Sequence, residues 1–172
     1  RVMVDKFPKL RKLTLNTTGI THHRAIPMLT KIVELCNERN VIFSMRVSID
    51  GVNEMHGSVR NVRNAFEKAG KTIAAMQELQ KTRKFNFGIS STIFSKNLED
   101  ADNILAWAKK EKLDIVFNMV RFTDARTVLG ETSRSIVELD LAGRLALHLD
   151  GLVSDAGHLL VEQRPGQVRY RR

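Results

Sequence analysis

Four short apolar runs alternate with three stretches of helical periodicity, and this alternation constrains the fold more than any other feature. The runs are RKLTLN (11–16), VIFSMRVSID (41–50), FNFGISSTIF (85–94) and IVFNMV (115–120). Each is rich in β-branched or apolar residues and closed by turn-forming or polar ones, the pattern of a strand. Between them, Ile26, Leu29, Ile32, Val33 and Cys36 recur at three- and four-residue steps, with Pro27 tolerated in the first turn and Asn40 at the end. Phe66, Ala69, Ile73, Met76 and Leu79 give 62–82 one apolar stripe, which Gly70 would divide. A third helix follows Asn97 as its cap, with Glu99, Asp100 and Asp102 in its first turns. Ile104, Leu105, Trp107 and Ala108 form its inner face, and Lys109, Lys110 and Lys112 its cationic end.

Strands joined by helices are parallel, because a helical crossover returns the chain to the same end of the sheet. The expected class is therefore α/β, either an open sheet or part of a (β/α) TIM-like barrel. Both architectures gather ligands at the carboxyl ends of their strands. Here those ends read Asn16-Thr17-Thr18-Gly19, Ser48-Ile49-Asp50-Gly51, Ser90-Ser91-Thr92 and Asn118. All are polar or small, and all are expected on one rim. Taken alone, Asp50-Gly51 is also what an ordinary turn after a strand looks like.

LTLNTTG resembles the third-strand "TNG" signature of radical S-adenosylmethionine enzymes. RVSIDGVNEMHGSVRN resembles their fourth-strand "SLDG…HD..R" segment, common in the peptide-modifying and maturase branch. STIFSKNLEDADNILAWAKK resembles the fifth strand and its helix. The three motifs come in the family's order and together span about residues 10–122.

The resemblance implies a partial barrel, here its later β/α units. It implies reductive cleavage of S-adenosylmethionine to a 5′-deoxyadenosyl radical, which abstracts a hydrogen from a peptide or protein substrate. It places Ser48 and Asp50 at the rim beside the cosubstrate and brings Arg60 to its carboxylate, which a guanidinium binds in a bidentate, charge-assisted manner. Ser90 and Thr92 would bond its ribose or amino group, and Asn16 and Thr18 would face the same space.

The sequence also departs from the family. The three-cysteine motif that holds the [4Fe–4S] cluster and the glycine-rich second-strand segment do not occur in it, and Gly57 stands where an aspartate usually follows the histidine. A single cysteine, Cys36, cannot hold such a cluster. The cluster ligands would have to come from elsewhere in an intact parent, and this chain alone is expected to be inactive.

Composition narrows the remaining choices. With 42% hydrophobic and 27% charged residues, the chain is expected to fold as a globular domain. No apolar run approaches a membrane span and no segment reads as a signal peptide, so the expected location is the cytoplasm. A net charge of +9 would suit nucleic acid or an acidic partner, giving the rival reading of a non-catalytic basic β/α binding module. Lys and Arg are scattered, however, with RYRR the only tight cluster, and a dedicated nucleic-acid surface is not expected. His22-His23 lacks a third ligand at useful spacing and reads as a loop.

The composition changes near residue 124. All 12 Lys, all 10 Asn and all 8 Phe precede that point, and the last 48 residues carry only Arg as a basic residue. Residues 1–124 are read as the barrel segment and 125–172 as a distinct tail. In the tail, Val137–Leu149 alternates about Ala142-Gly143-Arg144 as a hairpin would, with a helix through 139–149 the alternative, and Leu159–Gln163 is expected to pair with Val168–Tyr170 through Pro165-Gly166. The sequence leaves open the oligomeric state.

Overall fold

A computed structural model describes residues 6–119 and two strands of the tail, His158–Leu160 and Gln167–Arg171. The elements run β1 (Lys12–Thr17), α1 (His22–Glu38), β2 (Ile42–Ser48), α2 (Glu54–Arg60), α3 (Ala65–Gln80), β3 (Asn86–Ile93), a 3-10 turn (Leu98–Asp100), α4 (Ala101–Lys110), β4 (Asp114–Met119), β5 (His158–Leu160) and β6 (Gln167–Arg171). The protein is α/β, and β1 to β4 form a parallel sheet whose order follows the chain.

β6 adds antiparallel to β4, and β5 antiparallel to β6, with Leu159 opposite Tyr170. The second expected tail pairing is thus present, and the tail shares the sheet of the first part. The first expected hairpin, 137–149, lies outside the described residues, as does the composition change near 124.

Alternation along the strands separates two faces. Phe43, Met45, Val47 and Ile49 of the β2 segment, Phe87, Ile89 and Ile93 of β3, and Ile115 and Phe117 of β4 are buried in one core. Leu29, Val33 and Cys36 of α1, Ala69, Ile73 and Met76 of α3, and Ile104, Leu105 and Ala108 of α4 belong to that same core. The helices therefore share one face of the sheet. Strands added in one direction through crossovers of one hand require this. A doubly wound sheet instead reverses direction and takes helices on both faces.

The opposite face carries Thr14 and Asn16, then Ser44, Arg46 and Ser48, then Asn86, Ser90 and Thr92, then Asp114 and Asn118, with Ile42 and Val116 as its large apolar residues among the described parts of β1 to β4. α3 runs unbroken through Gly70, since one glycine inside a helix costs only about 1 kcal/mol relative to alanine. Trp107 packs edge-on against Phe66 of α3, ring centres 5.0 Å apart, and lies against the core at its margin.

Candidate functional site

The loop after β2 is organised by Asp50, which is 2% exposed. Its Oδ1 accepts the Thr92 backbone N–H at 2.8 Å, and its Oδ2 lies 2.6 Å from Nη2 of Arg60. Its own N–H donates to His56 Nδ1 at 3.0 Å, and its carbonyl accepts from Asn97 Nδ2 at 2.8 Å. Asp50 thereby joins β2 to β3, α2 and the turn before α4. Each carboxylate oxygen of Asp50 thus has a donor, and one of the two donors is cationic, which offsets the cost of burying it.

The helix that supplies Arg60 is short and not foreseen from periodicity. Gly51 makes its close start feasible, since a Cβ there would sit 2.5 Å from Met55 Cγ and 2.8 Å from His56 N. The turn is held further by Val52 N–H donating to Asp100 Oδ2 at 2.6 Å. His56 and Arg60 fall four apart, on one side of α2, both directed at Asp50.

His56 is fully buried, and burial pushes its pKa below the ordinary value of 6.5. Asp50 pulls in the raising direction and Arg60 in the lowering one, and burial dominates. Because Nδ1 accepts from Asp50 N–H, the neutral ring carries its proton on Nε2, which is buried without a hydrogen-bond partner. Arg60 Nε is likewise buried without one.

Asn97 does not cap a helix with its side chain. Its amide donates to Asp50 O and, at 3.0 Å, to Thr92 O, while its Oδ1 accepts Phe94 N–H at 2.9 Å. A side chain that satisfies three backbone groups belongs to the site's frame. The sequence marks it as a turn asparagine before a helix and says nothing about distant partners.

The other candidates take their places by register. Ser48 pairs with Ser90 on neighbouring strands, side chains on the polar face, Ser90 8% exposed and Ser48 half-buried. Thr92 lies one level higher opposite Asn118. Asn16 is one level below Ser48, beside Arg46 on the edge strand, and is exposed. Thr18 is exposed in the loop after β1, where the Thr17 hydroxyl, not that of Thr18, accepts Gly19 N–H at 3.2 Å. Asp50, Arg60 and Thr92 are thus in direct contact, Ser48 and Ser90 adjoin, and Asn16 and Thr18 stand at the margin.

Ser48 and Ser90 offer hydroxyls on the polar face, and Arg60 is held at the end of β2 by Asp50. An iron–sulfur cluster is a different matter. Cys36, the one thiol, is buried beneath α1 on the helix face, and burial raises its pKa, which disfavours the thiolate that metals need. Among the described residues, no group of three or more His, Cys, Asp or Glu is placed to hold a metal ion, and no helix is long and apolar enough to cross a membrane. No model of a known protein family matches this chain, and no curated protein matches it.

Proposed function

We propose that this chain is the later β/α part of a radical S-adenosylmethionine-type partial barrel, and that its polar sheet face holds the amino-acid and ribose portions of the cosubstrate. One observation carries the reading: helices cover a single face of a sequentially ordered parallel sheet, and hydroxyls, amides and a guanidinium occupy the other near the strand ends. A barrel likewise covers the outer face of its sheet with helices and gathers its site at the carboxyl ends of the strands.

In this reading Arg60 meets the cosubstrate carboxylate with donors that Asp50 does not use, and Asp50 fixes the plane of the guanidinium. Ser48 and Ser90 bond the amino group or ribose, and Thr92, Asn16 and Thr18 line the approach. An iron–sulfur cluster in an intact parent would supply the electron for reductive cleavage. The residues of this chain do not fit such a cluster, so the chain binds and orients but does not cleave. A peptide or protein is the substrate class that the resemblance suggests.

Calorimetric titration of S-adenosylmethionine into the full chain tests the proposal. Binding should be weakened about tenfold or more by Arg60→Ala and by the paired Ser48→Ala/Ser90→Ala change, since a charge-assisted bond contributes about 1.5–3 kcal/mol. The serine pair guards against a folding defect, because neither serine contacts the Asp50 cluster through its side chain. Absence of binding, or binding indifferent to both variants, overturns the reading. Nucleic-acid binding with a steep salt dependence would instead favour a basic binding module, in line with the net charge of +9.

A further inference from the structure

We propose that the end of the molecule where the parallel strands begin is a docking surface for an acidic segment of a protein, anchored by one apolar side chain in a cleft between α1 and the α3–β3 connection. The surface lies at the opposite end of the strands from the proposed cosubstrate site and does not rest on that reading.

Positive charge that looks scattered along the chain is gathered by the fold. Parallel strands joined by helices put every strand start and every crossover-helix end on one side. The segments at that end are 9–12, 38–42, 78–86 and 109–114. They hold ten Lys or Arg and four Asp or Glu, which accounts for six of the chain's nine net positive charges. The segments at the carboxyl ends of the strands, 18–24, 49–67 and 93–102, hold four and six. β6 runs antiparallel to β4 with Tyr170 opposite Ile115, which brings the backbone of Arg171 to the basic end of the sheet. Further β/α units beside β1 would extend this end rather than cover it.

Hydrogen bonds make these segments one continuous surface. Arg11 O accepts Ile42 N–H at 2.9 Å. Asn37 donates to Lys84 O at 2.8 Å and accepts from Lys84 N at 3.2 Å. Gln77 Nε2 donates to Glu111 O at 2.8 Å. Cations at helix ends commonly serve the helix dipole, as Lys109 and Lys110 do in the last turn of α4. The last turns of α1 and α3 carry none. Lys12, Arg83 and Lys84 lie outside the helices and are exposed, so the dipole does not account for them.

A cleft of about 570 Å³ opens within this surface. Phe43, Phe85 and Ile42 line it with apolar groups, and Ile42 is 58% exposed. Arg83 and Lys84 belong to the same lining and supply its positive charge. An apolar side chain flanked by carboxylates matches both features, the first by burial and the second by charge. Single-stranded nucleic acid would need an aromatic face on which a base can stack. The Phe85 ring instead packs against Phe43 and Phe87, with centres 6.2 and 6.3 Å away.

Fluorescence anisotropy of a labelled short peptide, Asp and Glu residues around one central Leu, titrated with the full chain, tests the proposal. Saturable binding is expected. Exchanging the central Leu for Ser in the peptide should weaken it about tenfold, and this comparison leaves the chain itself unaltered. Arg83→Glu/Lys84→Glu should weaken it about tenfold or more, because attractive contacts become repulsive. Lys31→Glu/Lys71→Glu makes the same change in net charge at exposed positions within α1 and α3, and should leave binding within about twofold. Absence of binding, equal affinity for the Leu and Ser peptides, equal weakening by the two double variants, or tighter binding of a single-stranded oligonucleotide of the same charge overturns the proposal.

Discussion

The ends of β1 and β2 begin from similar sequence and are held in different ways. NTTG and SIDG both close a parallel strand with small polar residues and a glycine. After β2, the chain is fixed by a buried carboxylate, a guanidinium, an imidazole and an amide, which tie Asp50 to three other elements. After β1, a local threonine–glycine bond and one buried hydroxyl do the work, with Thr72 Oγ1 donating to Gly19 O at 2.7 Å. The β2 end is specified by polar bonds that need their partners in place; the β1 end is specified by backbone shape and close packing. Polar networks of the first kind suit a site that must hold a charged ligand in one geometry, at the cost of vulnerability to any single deletion.

The largest effect should come from cutting that network at its centre. Asp50→Ala strands the Thr92 N–H and leaves the half-buried Arg60 guanidinium without its counter-charge. Removing one partner of a buried pair costs about 3–5 kcal/mol, and the partial exposure of Arg60 places this case near the lower figure. Asn97→Ala follows closely at about 3 kcal/mol, since Asp50 O, Thr92 O and Phe94 N lose their partner together. Urea unfolding measures both. If either variant unfolds within about 0.5 kcal/mol of the parent, the β2 end is no more polar in its stability than the β1 end.

Gly19→Ala probes the other side of the comparison. Gly19 has φ +67°, and a Cβ there would lie 3.0 Å from Val47 Cγ1 and 3.3 Å from Thr72 Cβ. The left-handed conformation costs a non-glycine residue about 1–2 kcal/mol, and crowding against Val47 adds to it, giving about 2 kcal/mol in the same unfolding assay. A neutral substitution would mean that this turn relaxes freely and that its conformation is not what seats β1 on α3.

How much of this was legible in the sequence follows from the range of the interactions. The strands and the three longer helices are set by local periodicity, so 11–16, 41–50, 85–94 and 115–120 fall within a residue or two of β1 to β3 and β4. The rim of polar strand ends was legible for the same reason. α2 was not, because seven residues carry too little apolar periodicity to register, and its position is fixed by Asp50 and Gly51 rather than by its own pattern. Asn97 was misread as a cap because its decisive partner, the Asp50 carbonyl, lies 47 residues away. The one-sided helix cover was equally invisible residue by residue, as it arises from the direction in which strands are laid down.

The smallest effect, and the most selective, is the pH response of His56. Burial lowers its folded-state pKa below 6.5, so near that pH the unfolded chain binds a proton that the folded chain does not. Stability therefore rises with pH through this window and is lost as pH falls below 6.5, until the folded ring itself takes up the proton. Between pH 7 and 6 the loss from this one group is at most about 0.7 kcal/mol, the limit in which only the unfolded state titrates. Protonating Nδ1 would also remove the acceptor of the Asp50 N–H, so the same acidification loosens the β2 end and leaves Gly19 and Thr72 unaffected. His56→Asn keeps an acceptor oxygen near the Nδ1 position and cannot titrate. Subtracting its unfolding profile from that of the parent removes the contribution of the other histidines. A flat difference between pH 7 and 5.5 would show that the imidazole is solvated in the folded state, and the contrast between a sealed polar knot after β2 and a shape-held turn after β1 would fail at its most buried residue.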